Sequence, residues 1–155
     1  MNNRYDTGLR YIKAKDLVFV ILYGAVLSIL FGIMVGFLDY FMQRFISISF
    51  AGILFFLSSM QIGKLVRKQY EFPHLVYIII TGVFLVVQAL IIYFLPIIFR
   101  VVLEFNAPEA VFNVELYIYI IKNFFTSLFT QFNFNLWLTV LVFSIGTYLG
   151  IKQTY

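Results

Sequence analysis

The sequence predicts an all-α integral membrane protein, a four-transmembrane-helix bundle with both termini on the cytoplasmic side and an amphipathic interfacial helix between spans three and four. Three observations predict it. Hydrophobic residues make up 63% of the 155-residue chain and charged residues only 12%, about half the charged share usual in a soluble domain. Uncharged apolar runs recur at lengths that cross a bilayer as helices. Inside the first run, Gly24, Ser28, Gly32 and Gly36 recur at every fourth position, the spacing by which helices approach closely in lipid.

The remaining composition agrees. Mean hydropathy is +0.97. Twenty Phe and eleven Tyr suit lipid contact and interfacial anchoring. No hydrophilic stretch is long enough to bury a core of its own, so residues 1–155 read as a single membrane domain. The chain has no cysteine, which excludes disulfides, thiolate metal sites, thiol redox chemistry and cysteine-linked lipid anchors. Heavy use of Phe, Ile, Tyr and Asn fits an AT-rich, bacterial coding sequence.

Taken in order, the basic N-terminal segment precedes an apolar run too long for a signal-peptide core. No A-x-A-like site follows closely, so the run reads as an uncleaved first span over residues 17–38. The turn at 39–44 is short, so span two (residues 45–63) returns beside it. Asp39 is the deepest ionisable residue, expected to end span one at the headgroups, paired with Arg44. Span three covers residues 75–99. Pro73 sits at its start, where a missing N–H has no helical partner anyway, and Pro96 is expected to bend or end it.

Residues 111–128 are read as the interfacial helix. Glu115, Tyr119, Lys122, Thr126 and Thr130 share one side, with Leu116, Ile120, Phe124 and Leu128 opposite and toward lipid. Crossing the bilayer would bury Lys122 at about 2.5–3.5 kcal/mol. The last span covers residues 132–151. Eight basic residues (Arg4, Arg10, Lys13, Lys15, Lys64, Arg67, Lys68, Lys152) fall on one side and three (Arg44, Arg100, Lys122) on the other. That bias puts both termini in the cytoplasm of a plasma-membrane protein. The net charge of +4 is then a topology signal and an attraction to anionic headgroups at the cytoplasmic segments, with no nucleic-acid partner implied.

Two residue sets are candidate sites. The first is the helix-packing set: Gly24, Ser28, Gly32 and Gly36 on span one, Ser59 and Gly63 on span two, and Gly146 and Gly150 on span four. It serves either internal packing against span two or four, or docking of another subunit. The second is a polar seam on span three, His74, Thr81 and Gln88 at heptad spacing. It lines a path, or it bonds to Ser58, Ser59 or Gln61 of the neighbouring span at about 0.6 kcal/mol per contact. His74 is expected exposed near Glu71 and Lys68.

Catalysis is not expected. One histidine leaves no His-rich metal cluster, and H-E-x-x-H and G-x-S-x-G patterns are absent, so no catalytic residue, metal or cofactor is assigned. The expected function is helix-mediated interaction. That means an accessory or regulatory subunit of a transport, export or envelope-assembly complex, or a membrane immunity-type protein. The competing class is an oligomeric small-solute transporter or channel with the seam facing a shared pore. The expected partners are the lipid bilayer and either another membrane protein or further copies of the chain.

Overall fold

Among the described residues five α-helices follow one another: α1 (Ala14–Ile46), α2 (Ala51–Arg67), α3 (Leu75–Glu104), α4 (Val114–Thr130) and α5 (Phe134–Lys152), with a 3-10 turn at Pro108–Phe112 ahead of α4. The computed structural model describes residues 12–130 and 134–155, and every regular element among them is helical. Arg4 and Arg10 of the basic cluster, and residues 132–133 at the head of the last expected span, lie outside the described residues.

Three helices, α1, α3 and α5, are long and apolar enough to cross a membrane by length and composition, where four were expected. The exception is α2. It has 17 residues and carries Lys64 and Arg67 in its last turn. It is short because α1 claims part of the expected second span. α1 runs through residues 39–44, expected to form a turn, as far as Ile46. Ser47 then takes the left-handed conformation at φ 60°, its N–H bonding to the Gln43 carbonyl at 3.1 Å. Residues 47–50 form the link, and α2 begins at Ala51.

Pro96 does not end α3, which continues to Glu104. One proline removes one backbone bond, and here the helix is held against α1 on both sides of Pro96. Leu95 stands against Gly36 before it, and the Phe99 ring lies against the Phe37 and Tyr40 rings after it, at 5.2 and 5.8 Å. The helix expected at the interface, α4, starts later than expected, at Val114. Asn113 caps it, its Oδ1 accepting from the N–H groups of Glu115 and Leu116 at 2.9 and 3.3 Å.

The helices associate as two parallel pairs, α1 with α3 and α2 with α5. In the first pair Phe84, Ile91 and Leu95 fill the notches at Gly24, Gly32 and Gly36. In the second, Val142 meets Gly52 and Gly150 meets Gly63. Val20, Ile62, Val66, Tyr70, Tyr77 and Leu85 form one core cluster, and Val35, Phe55, Ala89 and Ile92 another.

One end of the bundle is tied by polar contacts. Lys13 Nζ donates to Glu71 at 2.6 Å. This hydrogen bond raises the Lys13 pKa and lowers that of Glu71, yet both groups are exposed and the pair contributes little. Tyr70 donates to the Thr154 carbonyl, and Arg67 to the carbonyls of Tyr70 and Tyr155 at 2.8 and 3.2 Å. The start of α1, the α2–α3 loop and the end of α5 therefore stand together.

Two glycine contacts with the end of α5 predict different tolerances. A β-carbon on Gly63 would lie 2.1 Å from the Gly150 carbonyl oxygen, whereas on Gly82 it would meet only the Ile151 side chain, at 3.1 Å. Gly63→Ala should lose about 1–3 kcal/mol of stability by forcing backbones apart. Gly82→Ala should change thermal unfolding in detergent little. Equal melting temperatures for the two variants would show that α2 and α5 are not packed this closely.

Candidate functional site

The small-residue ladder is buried along its whole length: Gly24, Ser28, Gly32 and Gly36 all lie inside. Its neighbour is α3, whereas span two or four was named as the internal partner. Its notches receive side chains first, and only at Gly36 does the α3 backbone come near, with the Ile92 Cα 3.5 Å from a β-carbon built there. The close backbone approach belongs to the other members of the packing set. A β-carbon on Gly150 would stand 2.8 Å from the Ser59 carbonyl oxygen, and one on Gly146 would strike the Phe55 ring at 2.7 Å. Ser59, fully buried, donates to the Gly146 carbonyl at 2.9 Å. Such a hydroxyl-to-carbonyl contact joins helices that have little hydrophobic reason to associate in lipid.

His74, Thr81 and Gln88 all lie in the interior, at 4%, 0% and 0% exposure. The exposed histidine expected at position 74 is instead the cap of α3. Its Nδ1 accepts from the Val76 N–H at 3.2 Å, because a helix start presents N–H groups with no helical acceptor. Thr81 donates to its own helix, to the Tyr77 carbonyl at 2.8 Å. Gln88 donates from Nε2 to Ser58 Oγ at 2.7 Å, one of the three partners expected. Within the seam, His74 caps α3, Gln88 joins α3 to α2, and Thr81 bonds within its own helix.

Two buried oxygens near this level lack a hydrogen-bond partner among the described residues, Gln88 Oε1 and Ser28 Oγ. The register from Gly24–Phe84 to Gly32–Ile91 puts Ser28 level with positions 87–88 of α3. A hydroxyl donor and an amide acceptor therefore share one level of the α1–α3 seam.

The strongest polar constellation is one that sequence reasoning assigned otherwise. Asp39 neither ends α1 nor pairs with Arg44, whose Nη1 donates to Tyr40 at 3.4 Å. Only 2% exposed, Asp39 caps α2 from a different helix. Its Oδ1 accepts from the N–H groups of Phe50 and Ala51 at 2.7 and 2.9 Å and from Ser49 Oγ at 3.0 Å, while Gln43 donates to Oδ2 at 2.6 Å. Each contact is accepted, as befits a carboxylate, and it stands at the positive end of the α2 dipole. The available signal was a lone carboxylate ten residues before a serine that opens an apolar run.

Beside Asp39 the bundle opens. A cavity of about 300 Å³ between α1, the start of α2, α3 and α5 is lined by Asp39, Ala51, Tyr93, Pro96, Arg100 and Thr139, among others. A second, of about 430 Å³, lies under α4, between Tyr93, Asn123, Phe124 and Thr139. On α4, Ile120 is buried and Leu116, Phe124 and Leu128 are half-buried, while Glu115, Tyr119, Lys122, Thr126 and Thr130 are exposed. The expected two sides are present, but Phe124 lies against the Tyr93 and Phe94 rings of α3, at 5.0 and 6.1 Å, where lipid contact was expected.

No family model, curated protein or solved structure matches this chain.

Two substitutions probe these groups by thermal unfolding in detergent. Asp39→Ala leaves several half-buried donors without this acceptor and should lose about 2 kcal/mol; a wild-type melting temperature would show that α2 does not depend on this cap. Gln88→Leu removes one bond but also an orphaned acceptor, so its net effect should stay within about 1 kcal/mol. A much larger loss would mean that Gln88 holds more than Ser58.

Proposed function

We propose that this chain is a multi-pass plasma-membrane protein that works by binding, as a non-catalytic accessory or regulatory subunit of a membrane complex or as an immunity-type protein. On this reading it is one membrane domain of four crossings, α2 being the fourth at the short end of the spanning range. α4 rests at the opposite face from the termini. Lys13, Lys64, Arg67, Lys68 and Lys152 gather toward the end that holds the start of α1, the α2–α3 loop and the end of α5. Arg44 and Arg100 lie toward the other. That asymmetry supports cytoplasmic termini.

The observation that carries the proposal is how the helix faces are allocated. The small faces of α1, α2 and α5 are already filled by helices of this chain. α4 is different: it buries Ile120 alone and leaves Val114, Ile118, Tyr119, Phe125 and Phe129 more than half exposed. A partner helix would therefore engage α4 and the adjoining part of α5, and the ladder would hold the subunit together. An oligomeric transporter or channel is the alternative. Its support moves from the seam to the cavity at Asp39 and Arg100.

Mild-detergent purification should recover a stoichiometric foreign membrane protein with the wild-type chain. Tyr119→Ala with Lys122→Glu should reduce that recovery several-fold while the isolated chain melts normally. A homogeneous homo-oligomer with no foreign partner would overturn the subunit reading in favour of the alternative.

Topology is tested separately by single-cysteine labelling, which the cysteine-free chain makes clean. Thr154 is fully buried and unsuitable, so Lys152→Cys reports on the C-terminal end. Phe112, at 86% exposure, reports on the other. An impermeant reagent on intact cells should label Phe112→Cys and not Lys152→Cys. The reverse pattern would invert the orientation.

A further inference from the structure

Two arginines from different helices, Arg44 near the end of α1 and Arg100 near the end of α3, line one opening of about 330 Å³, with Tyr40, Gln43 and Glu104. Gln43 and Arg100 also line the adjoining cavity of about 300 Å³, whose inner wall is apolar at Ile92, Ile97 and Phe143. From Tyr93, Thr139 and Phe143 a groove of about 230 Å³ continues between α3 and α5 along Val86, Leu90 and Val140. A cationic mouth thus leads through a mixed neck into an apolar groove.

The charge at the mouth is only partly neutralised internally. Among the described residues Arg44 makes no ion pair, and Arg100 meets only Glu104, at 3.9 Å with both side chains exposed. Asp39, the nearest buried carboxylate, is engaged with Gln43, Ser49 and the first N–H groups of α2. Guanidinium groups bind phosphate oxygens through paired, charge-assisted hydrogen bonds.

We propose that this is a site for one anionic phospholipid. Its headgroup phosphodiester sits between Arg44 and Arg100, and one acyl chain lies in the groove between α3 and α5. The polarity gradient selects this occupant. A soluble phosphate ester would fill the mouth and leave the neck and groove empty. A partner helix, about 10 Å across, is too large for a space of about 230 Å³. The site is independent of the subunit reading, since it lies beneath α4 and does not use its exposed strip.

The test is native mass spectrometry of the full chain in a neutral detergent, with phosphatidylglycerol, phosphatidylcholine and glycerol 3-phosphate as separate probes. One phosphatidylglycerol should be retained per chain, roughly tenfold more tightly than phosphatidylcholine, and glycerol 3-phosphate should not compete with it. Arg44→Gln and Arg100→Gln should each weaken retention by roughly tenfold. Lys122→Gln should not, because Lys122 lines none of these three openings. Thr139→Trp fills the neck without changing charge and should weaken retention too.

Both arginines are exposed, so their variants should melt as the wild type does. The headgroup selectivity of the unaltered chain requires no variant at all. Equal retention of the two lipids, competition by glycerol 3-phosphate, or an equal loss in Lys122→Gln would each overturn the site.

Discussion

Where α2 crosses α5, the position of a β-carbon on Gly63 lies 2.1 Å from the Gly150 carbonyl oxygen, and that of one on Gly150 lies 2.8 Å from the Ser59 carbonyl oxygen. The contact leaves no room for any side chain, and much of the bundle is arranged around it. Ser59 can reach the Gly146 carbonyl only because the two backbones are this close. Leu85 of α3 then packs over Gly150, and the end of α5 comes near enough for Tyr70 to hold Thr154. A chain proposed to sit in a bilayer gains little from burying apolar surface, so such dispersion contacts and interhelical hydrogen bonds must supply the cohesion. The α1–α3 pair is built differently. Phe84, Ile91 and Leu95 are knobs in glycine notches, and flexible side chains can give by a few tenths of an ångström where backbone cannot.

Asp39 joins these two pairs at the end opposite the termini. A helix start exposes N–H groups that find no helical acceptor, and in apolar surroundings each unpaired group is expensive. α2 opens with Phe50 and Ala51, neither of which can cap it. The acceptor is lent by α1, eleven and twelve residues upstream, and the loop bends to deliver it: Ser47 takes the left-handed conformation and Ser49 adds its hydroxyl. α1 therefore has to continue past Asp39, because the carboxylate must reach α2 from the side. The short α2 and the long α1 are two consequences of one capping arrangement.

Much of this was legible in the residues. The long apolar runs gave α1, α3 and α5, and the small residues marked which faces meet. Leu116, Ile120, Phe124 and Leu128 were recognised as one side of α4. Partner choice was not legible, since spacing within a helix carries no information about which neighbour fills the notch. The ladder went to α3 on that account. Boundaries failed where a local rule yielded to a tertiary one. Asp39 looked like a helix end because a charge in an apolar run is costly, but an acceptor shared with another helix offsets that cost. Pro96 was expected to bend or end α3 because it loses a backbone bond, but the helix runs on, with Leu95 against Gly36 before it and Phe99 against Phe37 after it. His74 looked solvated because polar neighbours surround it in sequence, yet its ring turns inward to cap α3.

These differences share a direction. Toward the termini, the helices close on each other through glycine, serine and the tyrosine contacts at Tyr70 and Tyr77. Toward Asp39 they part, because the residues that would fill the centre are spent elsewhere. α2 starts only at Ala51, which lines the cavity beside Ile97 and Arg100 of α3. α4 covers part of the gap but is anchored by little besides Ile120 and Phe124. An opening is the geometric result of helices of unequal length sharing one bundle. The residues along it then decide its chemistry: an occupied carboxylate, two arginines with little to neutralise them, and a wall that turns apolar with depth. The division between a closed half and an open half follows from where one short helix begins.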